Sequence, residues 1–284
     1  MSPLHTLTYF LLKTVSRWLR SMSVSSRQLF SERLASFLYH HIPLRKEVAL
    51  QNIIRAFPER SLNRNINVLK NAYSFFAKNF IQFLSFPVDS SITIKGKENF
   101  DSALKKGKGI ILVTGHFGPW EILMDWMGRQ NYPVVVVVNK QRNRGADLFF
   151  RELREQSGIR HLLRKEPIEK MYHVLKRGHI LGLASDQDAK KRGVFVDFMG
   201  QPSSTPKGAA RFYQETNAPI VFIVSHETPA RDYVVECEVI DISNKASIQE
   251  ITQAYTTLLE TRIRKHPEQY FWFHRRWKTK PTDG

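Results

Sequence analysis

The segment Thr114-Gly115-His116-Phe117-Gly118-Pro119-Trp120-Glu121 gathers the residue types with the clearest chemistry in this chain. It follows an apolar run, Gly109–Thr114 (GIILVT), and leads into a helical pattern. Pro119 suits the first helical position, where its missing N–H would lack a partner anyway. Gly118 is then a cap, and Gly115 and Gly118 let the backbone turn sharply around His116. His116 and Glu121 lie five residues apart, so on one continuous helix they would not face each other. With His116 in the turn and Glu121 in the first helical turn, the two side chains can converge. A carboxylate on one imidazole nitrogen keeps the other nitrogen a proton acceptor and stabilises the imidazolium formed when it takes a proton. Such a pair is a general base able to deprotonate an alcohol that attacks an acyl group. The bland alternative is a helix-start carboxylate beside an ordinary turn histidine.

Other chemistries find less support. One His and one Glu are too few for a metal, no HExxH occurs, and Cys237 is the single cysteine, so a thiolate cage is excluded. Neither GxGxxG nor GxxxxGK[ST] is present, and no GxSxG elbow offers a serine nucleophile.

The elements that must position these groups follow from hydrophobic spacing. Residues 25–86 read as helical, with Leu29, Leu34, Phe37 and Leu38, then Phe75, Phe76, Phe80, Ile81 and Phe83, at three- and four-residue intervals; Pro43, Pro58 and Pro87 punctuate the region. Thereafter β-rich runs at Gly109–Thr114, Pro133–Val138, Ile180–Ala184 and Pro219–Val224 alternate with helical stretches at Trp120–Arg129, Ala146–Gln156, Ile168–Lys176 and Lys207–Thr216. That alternation specifies an α/β fold with a largely parallel central sheet flanked by helices. Tyr233–Ile240 alternates more and suits an edge strand, and Ile248–Lys265 reads as a long amphipathic helix. The expected organisation is an N-terminal membrane-associating helix over 1–24 and a single domain over 25–284, helical over 25–86 and α/β over 87–284.

The N-terminal expectation rests on Leu4–Leu19. Its uninterrupted apolar part, Leu7–Leu12, is too short to span a bilayer, which takes about 20 residues, and no small-residue cleavage site follows it. Phe10, Leu11, Trp18 and Leu19 are placed on the apolar side of a helix edged by Lys13, Arg17 and Arg20, as in an interfacial helix; packing on its own domain is the alternative. The 284 residues carry a net charge of +17, which calls for an acidic partner: nucleic acid, anionic lipid or an acidic protein. The lone cysteine excludes an internal disulfide and favours a reducing compartment, and a mean hydropathy of −0.35 excludes a polytopic membrane protein. Nucleic-acid binding would account for the charge and for the basic aromatic segment Tyr270–Lys278, but not for the strand–His–turn–helix unit, and no RRM, KH or helix-turn-helix signature is present.

These residues resemble a known family. His116-x4-Glu121 after a buried strand is similar to the HxxxxD/E signature of glycerolipid-type acyltransferases, and its surroundings resemble the bacterial lipid A biosynthesis late acyltransferases, which add secondary lauroyl or myristoyl chains. Leu153-Arg154-Glu155-Gln156-Ser157-Gly158 resembles that branch's arginine helix end. Ser185-Asp186-Gln187-Asp188 with Gly193–Gly200 resembles its DQD block, and Glu268–Pro281 its terminal block ending HRRWKT.P. The blocks run in order from about Gly107 to Pro281. Pro119 stands where the branch often has Asn, and the N-terminal apolar segment is shorter and more charged than a clean anchor.

The resemblance implies an α/β core with His116 at a groove on the cytoplasmic face of a bacterial inner membrane. It implies transfer of a fatty acyl group from acyl carrier protein to a hydroxyl of a lipid A precursor, on an anionic membrane surface, with no metal, no cofactor, no covalent acyl-enzyme and no nucleic acid. His116 would be the general base and Glu121 its orienting carboxylate. Arg154 would bind substrate phosphate or the oxyanion; Arg142, Asn143, Arg164 and Asp186 are further substrate-binding candidates. Each has a plainer reading: a cation near a helix C-terminus is favourable regardless, and Asp186–Asp188 also suits a polar turn. His274–Trp277 reads as structural or membrane-facing. Phe195, Phe198, Met199, Trp120 and Trp126 are candidates for an acyl tunnel or for plain core. Phosphatidylinositol mannoside acyltransferases share much of the pattern, which leaves the acceptor open.

Overall fold

Apolar runs without a polar face must be covered on both sides, and in the computed structural model they form the interior of one sheet. The structure describes residues 2–42, 44–86, 92–243 and 245–281; Pro43 and Pro87 lie outside them. Four helices come first: α1 (Pro3–Ser21), α2 (Val24–His41), α3 (Lys46–Ala56) and α4 (Leu62–Leu84). Then follow β1 (Ile92–Lys95), α5 (Lys97–Lys105), β2 (Ile110–Thr114), α6 (Trp120–Arg129), β3 (Val134–Val138), α7 (Arg144–Glu155), β4 (Arg160–Leu163), α8 (Ile168–Lys176) and β5 (Ile180–Ala184). The hairpin β6 (Val194–Phe198) and β7 (Gln201–Thr205), α9 (Gly208–Thr216), β8 (Ile220–Glu227), β9 (Tyr233–Val239) and α10 (Ile248–Lys265) complete the order.

The sheet runs β1-β9-β8-β2-β5-β3-β4. Strands β8, β2, β5, β3 and β4 are parallel, β9 is antiparallel to β8, and β1 pairs parallel with β9. The α/β fold with a mostly parallel sheet is as expected. Alternate residues of β2 enter opposite cores. Ile111 and Val113 pack with Leu259 and Ile263 of α10 and with residues of α3, α4, α8 and α9, whereas Ile110 and Leu112 pack with Phe100 of α5 and Trp126 and Met127 of α6. Each large apolar side chain buried this way stabilises the fold by about 1.5–3 kcal/mol.

Three sequence expectations need correction. Tyr233–Val239 is not at an edge, because the unforeseen four-residue β1 covers it. Strand β4 and the β6–β7 hairpin were also unforeseen: β4 is a short edge strand with no apolar run, and the hairpin turns at Met199 and Gly200, both with positive φ, as a two-residue hairpin loop requires. In α1, Leu19 does not share a face with Phe10, Leu11 and Trp18. It is fully buried among Ile81, Leu84 and Leu153, while those three are about half exposed or more.

Helix α1 lies along α7 and α4. Its Ser16 hydroxyl donates to the Leu84 carbonyl at 2.6 Å, and Tyr9 donates to Glu152 at 2.8 Å. The close approach requires Gly145, where a Cβ would run into the His5 carbonyl oxygen. Among the described residues, no helix is long and apolar enough to cross a membrane.

Candidate active site

Parallel neighbouring strands deliver their following loops to the same end of a sheet, the usual location of ligand crevices in open α/β folds. β2 and β5 are such neighbours, with Thr114 opposite Ala184. His116 and Asp186 each follow two residues after that last pair. The imidazole Nδ1 and the Asp186 Oδ1 meet at 2.7 Å. Asp186 is buried and His116 half-buried. The Gln187 amide stands 3.5 Å from the same ring nitrogen. Nε2 has no protein partner among the described residues.

The carboxylate on His116 is therefore Asp186, not Glu121. The chain enters α6 one residue later than expected: Pro119 is the N-cap and Trp120 the first helical residue. From the second helical position Glu121 points to α7, where its two oxygens receive Arg154 Nε at 2.9 Å and Nη2 at 2.5 Å. The Trp120 indole also donates to Glu121 at 3.2 Å. Glu121 acts on His116 only through its charge.

The turn itself is held from behind. Gly118 has φ 63°, and a Cβ there would run into the Ser225 carbonyl oxygen. Its N–H donates to the Gln269 carbonyl at 2.8 Å, and the Phe271 N–H donates to the His116 carbonyl at 2.9 Å. The terminal block thus seats the histidine turn. Within it Tyr270, Trp272, Arg276 and Trp277 are buried, so the block is packed into the fold and is not a solvated tail.

Burial alone would lower the His116 pKa, but the charge and hydrogen bond of Asp186, helped by Glu121, outweigh it and raise the imidazole above its ordinary 6.5. Burial would raise Asp186, yet His116 and the Arg276 charge hold it below the ordinary carboxylate value. The pair therefore takes up a proton readily on Nε2 and keeps its anion on the far side.

Arg154 stacks over Phe83 at 5.4 Å and is only a quarter exposed. Burial would lower its pKa, but Glu121 raises it. Its Nε and Nη2 are both engaged by Glu121. Asn143 is occupied as the α7 cap, accepting from the Gly145 and Ala146 N–H groups and donating to Thr8 of α1 at 3.0 Å. Arg142 and Arg164 are exposed beyond the C-terminal ends of β3 and β4. Those strands lie two and three places from β2, about 10 and 14 Å away at normal strand spacing.

Aromatic rings rim the imidazole: Trp120 at 5.6 Å and Phe271 at 6.1 Å, with Phe76 at 5.8 Å from Trp120 and Phe273 at 5.3 Å from Phe271. Of the tunnel candidates, only Trp120 stands here. Phe198, Met199 and Trp126 are core residues, and Phe195 is on the β6–β7 hairpin. Phe76, Phe271 and Phe273 escaped sequence reading because they come from α4 and the terminal block, far apart in sequence.

The Glu121–Arg154 pair also carries a stability prediction. Glu121→Gln leaves a largely buried guanidinium without its anion, and should lower unfolding free energy by about 1–3 kcal/mol, read in denaturant unfolding. An unchanged midpoint would mean the pair contributes nothing to the fold.

Comparison with known proteins agrees with these features. A family described as bacterial lipid A biosynthesis acyltransferase matches residues 1–279. The chain is 27% identical over 132 residues to a phosphatidylinositol mannoside acyltransferase of Mycobacterium tuberculosis, covering 45% of this chain and 42% of that protein. It is 30% identical over 190 residues to the lipid A biosynthesis lauroyltransferase of Escherichia coli, covering 66% and 61%, and 21% identical over 292 residues to the palmitoleoyltransferase of the same bacterium, covering 99% and 94%. The matches to the mannoside enzyme and the lauroyltransferase thus span less than two thirds of those proteins, whereas the family match covers nearly all of this chain: it belongs to the bacterial lipid A biosynthesis acyltransferase family.

Proposed function

We propose that this chain transfers a fatty acyl group from an acyl carrier protein thioester to a hydroxyl of a lipid A precursor at an anionic membrane surface. The observation that carries the reading is the His116–Asp186 pair at the C-terminal ends of two adjacent parallel strands, with a free Nε2 inside an aromatic rim. Nε2 takes the proton of the acceptor hydroxyl as its oxygen attacks the thioester carbonyl. The tetrahedral intermediate collapses with loss of the thiolate, which recovers the proton from the imidazolium. An ester and the carrier thiol result, and Asp186 stabilises the imidazolium between the two proton transfers. Glu121 fixes Arg154, whose remaining N–H groups face a substrate phosphate or the developing oxyanion. Arg142 and Arg164 suit more distant phosphates of a large headgroup.

The same chemistry on a mannoside acceptor is the second reading, favoured by the match to the mycobacterial enzyme. Mass spectrometry of products from acyl carrier proteins of several chain lengths, offered lipid A precursor and phosphatidylinositol mannoside in separate reactions, distinguishes the two. No ester on either acceptor would refute both.

The membrane side of the proposal rests on α1 and α2. Leu4, Leu7, Leu11 and Trp18 recur along α1 at helical spacing and are 67%, 65%, 59% and 49% exposed; Phe10 of α1 and Val24, Leu29 and Phe37 of α2 are exposed too. Arg17 and Arg20 are exposed on the same helix. Exposed apolar side chains entering lipid beside cations meeting anionic headgroups describe a peripheral attachment. The double substitution Leu7→Glu, Leu11→Glu touches no core, and should weaken co-sedimentation with phosphatidylglycerol-containing vesicles about tenfold or more at unchanged thermal stability. Undiminished vesicle binding would remove α1 from the interface.

A further inference from the structure

Behind the His116–Asp186 pair lies a second layer contributed by the terminal block and the β6–β7 hairpin. Arg276 is 2% exposed, and its guanidinium donates to the Ser204 carbonyl at 2.8 Å and to the Thr205 hydroxyl at 2.5 Å. It lies over the Phe198 ring at 4.9 Å. Its Nε is buried and has no hydrogen-bond partner among the described residues. Arg276 and Asp186 border one enclosed cavity of about 10 Å3, which Thr114, Ser185, Tyr255 and Thr256 also line. That space holds about one water at most. The Tyr270 hydroxyl, also buried, faces Asp186 as well. A buried cation retained beside a buried anion, without a direct salt bridge, contributes little as a stabilising pair. Its field on the anion is nevertheless strong in so dry a place.

We propose that Arg276 is a positioning residue that, with the Tyr270 hydroxyl, keeps Asp186 ionised and aimed at His116 and thereby sets the proton affinity of the pair. This rests on the reading of His116 as the base, but its physical content concerns only the pair. The charged and titratable groups around Asp186 are His116 and Glu121 on the histidine side, Tyr270, His274 and Arg276 of the terminal block, Asp188 of its own loop, and Tyr255 of α10. Burial holds the Arg276 pKa below its ordinary value, only partly offset by Tyr270, Asp186 and Asp188, but a guanidinium stays protonated all the same.

Without its cation, the pair binds a proton more tightly, because the deprotonated pair carries the net negative charge that Arg276 stabilises. In folded Arg276→Gln protein, the His116 titration followed by imidazole nitrogen NMR should therefore move up by about one pH unit, and the acid limb of kcat/KM should move with it. Arg276→Lys, which returns the positive charge, should bring the midpoint most of the way back to the native value. Arg276→Met, near in volume and without charge, reads the same quantity if the Gln variant does not fold. Tyr270→Phe, which removes only one hydroxyl, should raise the midpoint by a smaller step. A purely structural role would lower thermal stability and leave the midpoint in place in all variants, and that outcome overturns the proposal. Failure of the His116 reading is separate: it would show as transfer surviving His116→Ala, whatever the NMR midpoint does.

Discussion

Acyl transfer by a His116→Ala variant should fall about 100- to 10,000-fold in kcat/KM, the range by which a positioned general base accelerates proton transfer. The loss belongs to the reaction and not to the fold. His116 is about one third exposed at its side chain and reaches the protein side chains around it chiefly through Asp186, so no core volume disappears. Leaving the Asp186 carboxylate without its nearest partner costs about 1–3 kcal/mol, which a 284-residue chain with two sheet-face cores should survive. Circular dichroism and the unfolding midpoint report that directly. A folded variant with undiminished turnover would show that the imidazole is not the base.

Asp186→Asn should also lower transfer by about 100-fold or more, with a distinct pH signature. The native carboxylate holds the His116 pKa above 6.5 against the effect of burial, so the native acid limb of kcat/KM should lie above pH 6.5 and activity should be lost as pH falls through it. An amide carries no charge to oppose burial. The imidazole pKa then drops, the acid limb moves to lower pH, and the rate on the plateau falls because nothing stabilises the imidazolium. Arg276→Gln moves the same limb upward, so opposite shifts from the two variants identify Asp186 as the anion and Arg276 as its cation. An Asp186→Asn profile superimposable on the native one would exclude the carboxylate from the proton relay. Glu121→Gln should move the limb down by a smaller step than Asp186→Asn, since Glu121 acts on the ring only through its charge and makes its hydrogen bonds to Arg154.

The strands Ile180–Ala184 and, within a residue, Ile110–Thr114 and Val134–Val138 were legible as sequence because a strand buried on both faces must be apolar throughout. Helices α6, α8 and α10 were legible because one-sided burial imposes a three- and four-residue recurrence. Strands β1 and β4 were not, being only four residues long and half exposed. The histidine turn was legible too, since a strand, two glycines and a proline announce it locally. Its partner was misassigned between two carboxylates. Five residues of separation favour Glu121, whereas Asp186 lies 70 residues away in sequence.

By itself, then, the sequence determined an α/β core and a histidine poised where a strand turns into a helix, because periodicity and turn chemistry are properties of neighbouring residues. Tertiary structure alone decided that β5 lies beside β2 in register and so presents Asp186 to the ring, that Glu121 faces Arg154 instead, and that the terminal block packs beneath both with Tyr270 and Arg276. Those outcomes depend on strand order, and strand order is set by which covering helices together bury the most apolar surface, a property of the whole chain that no local spacing contains.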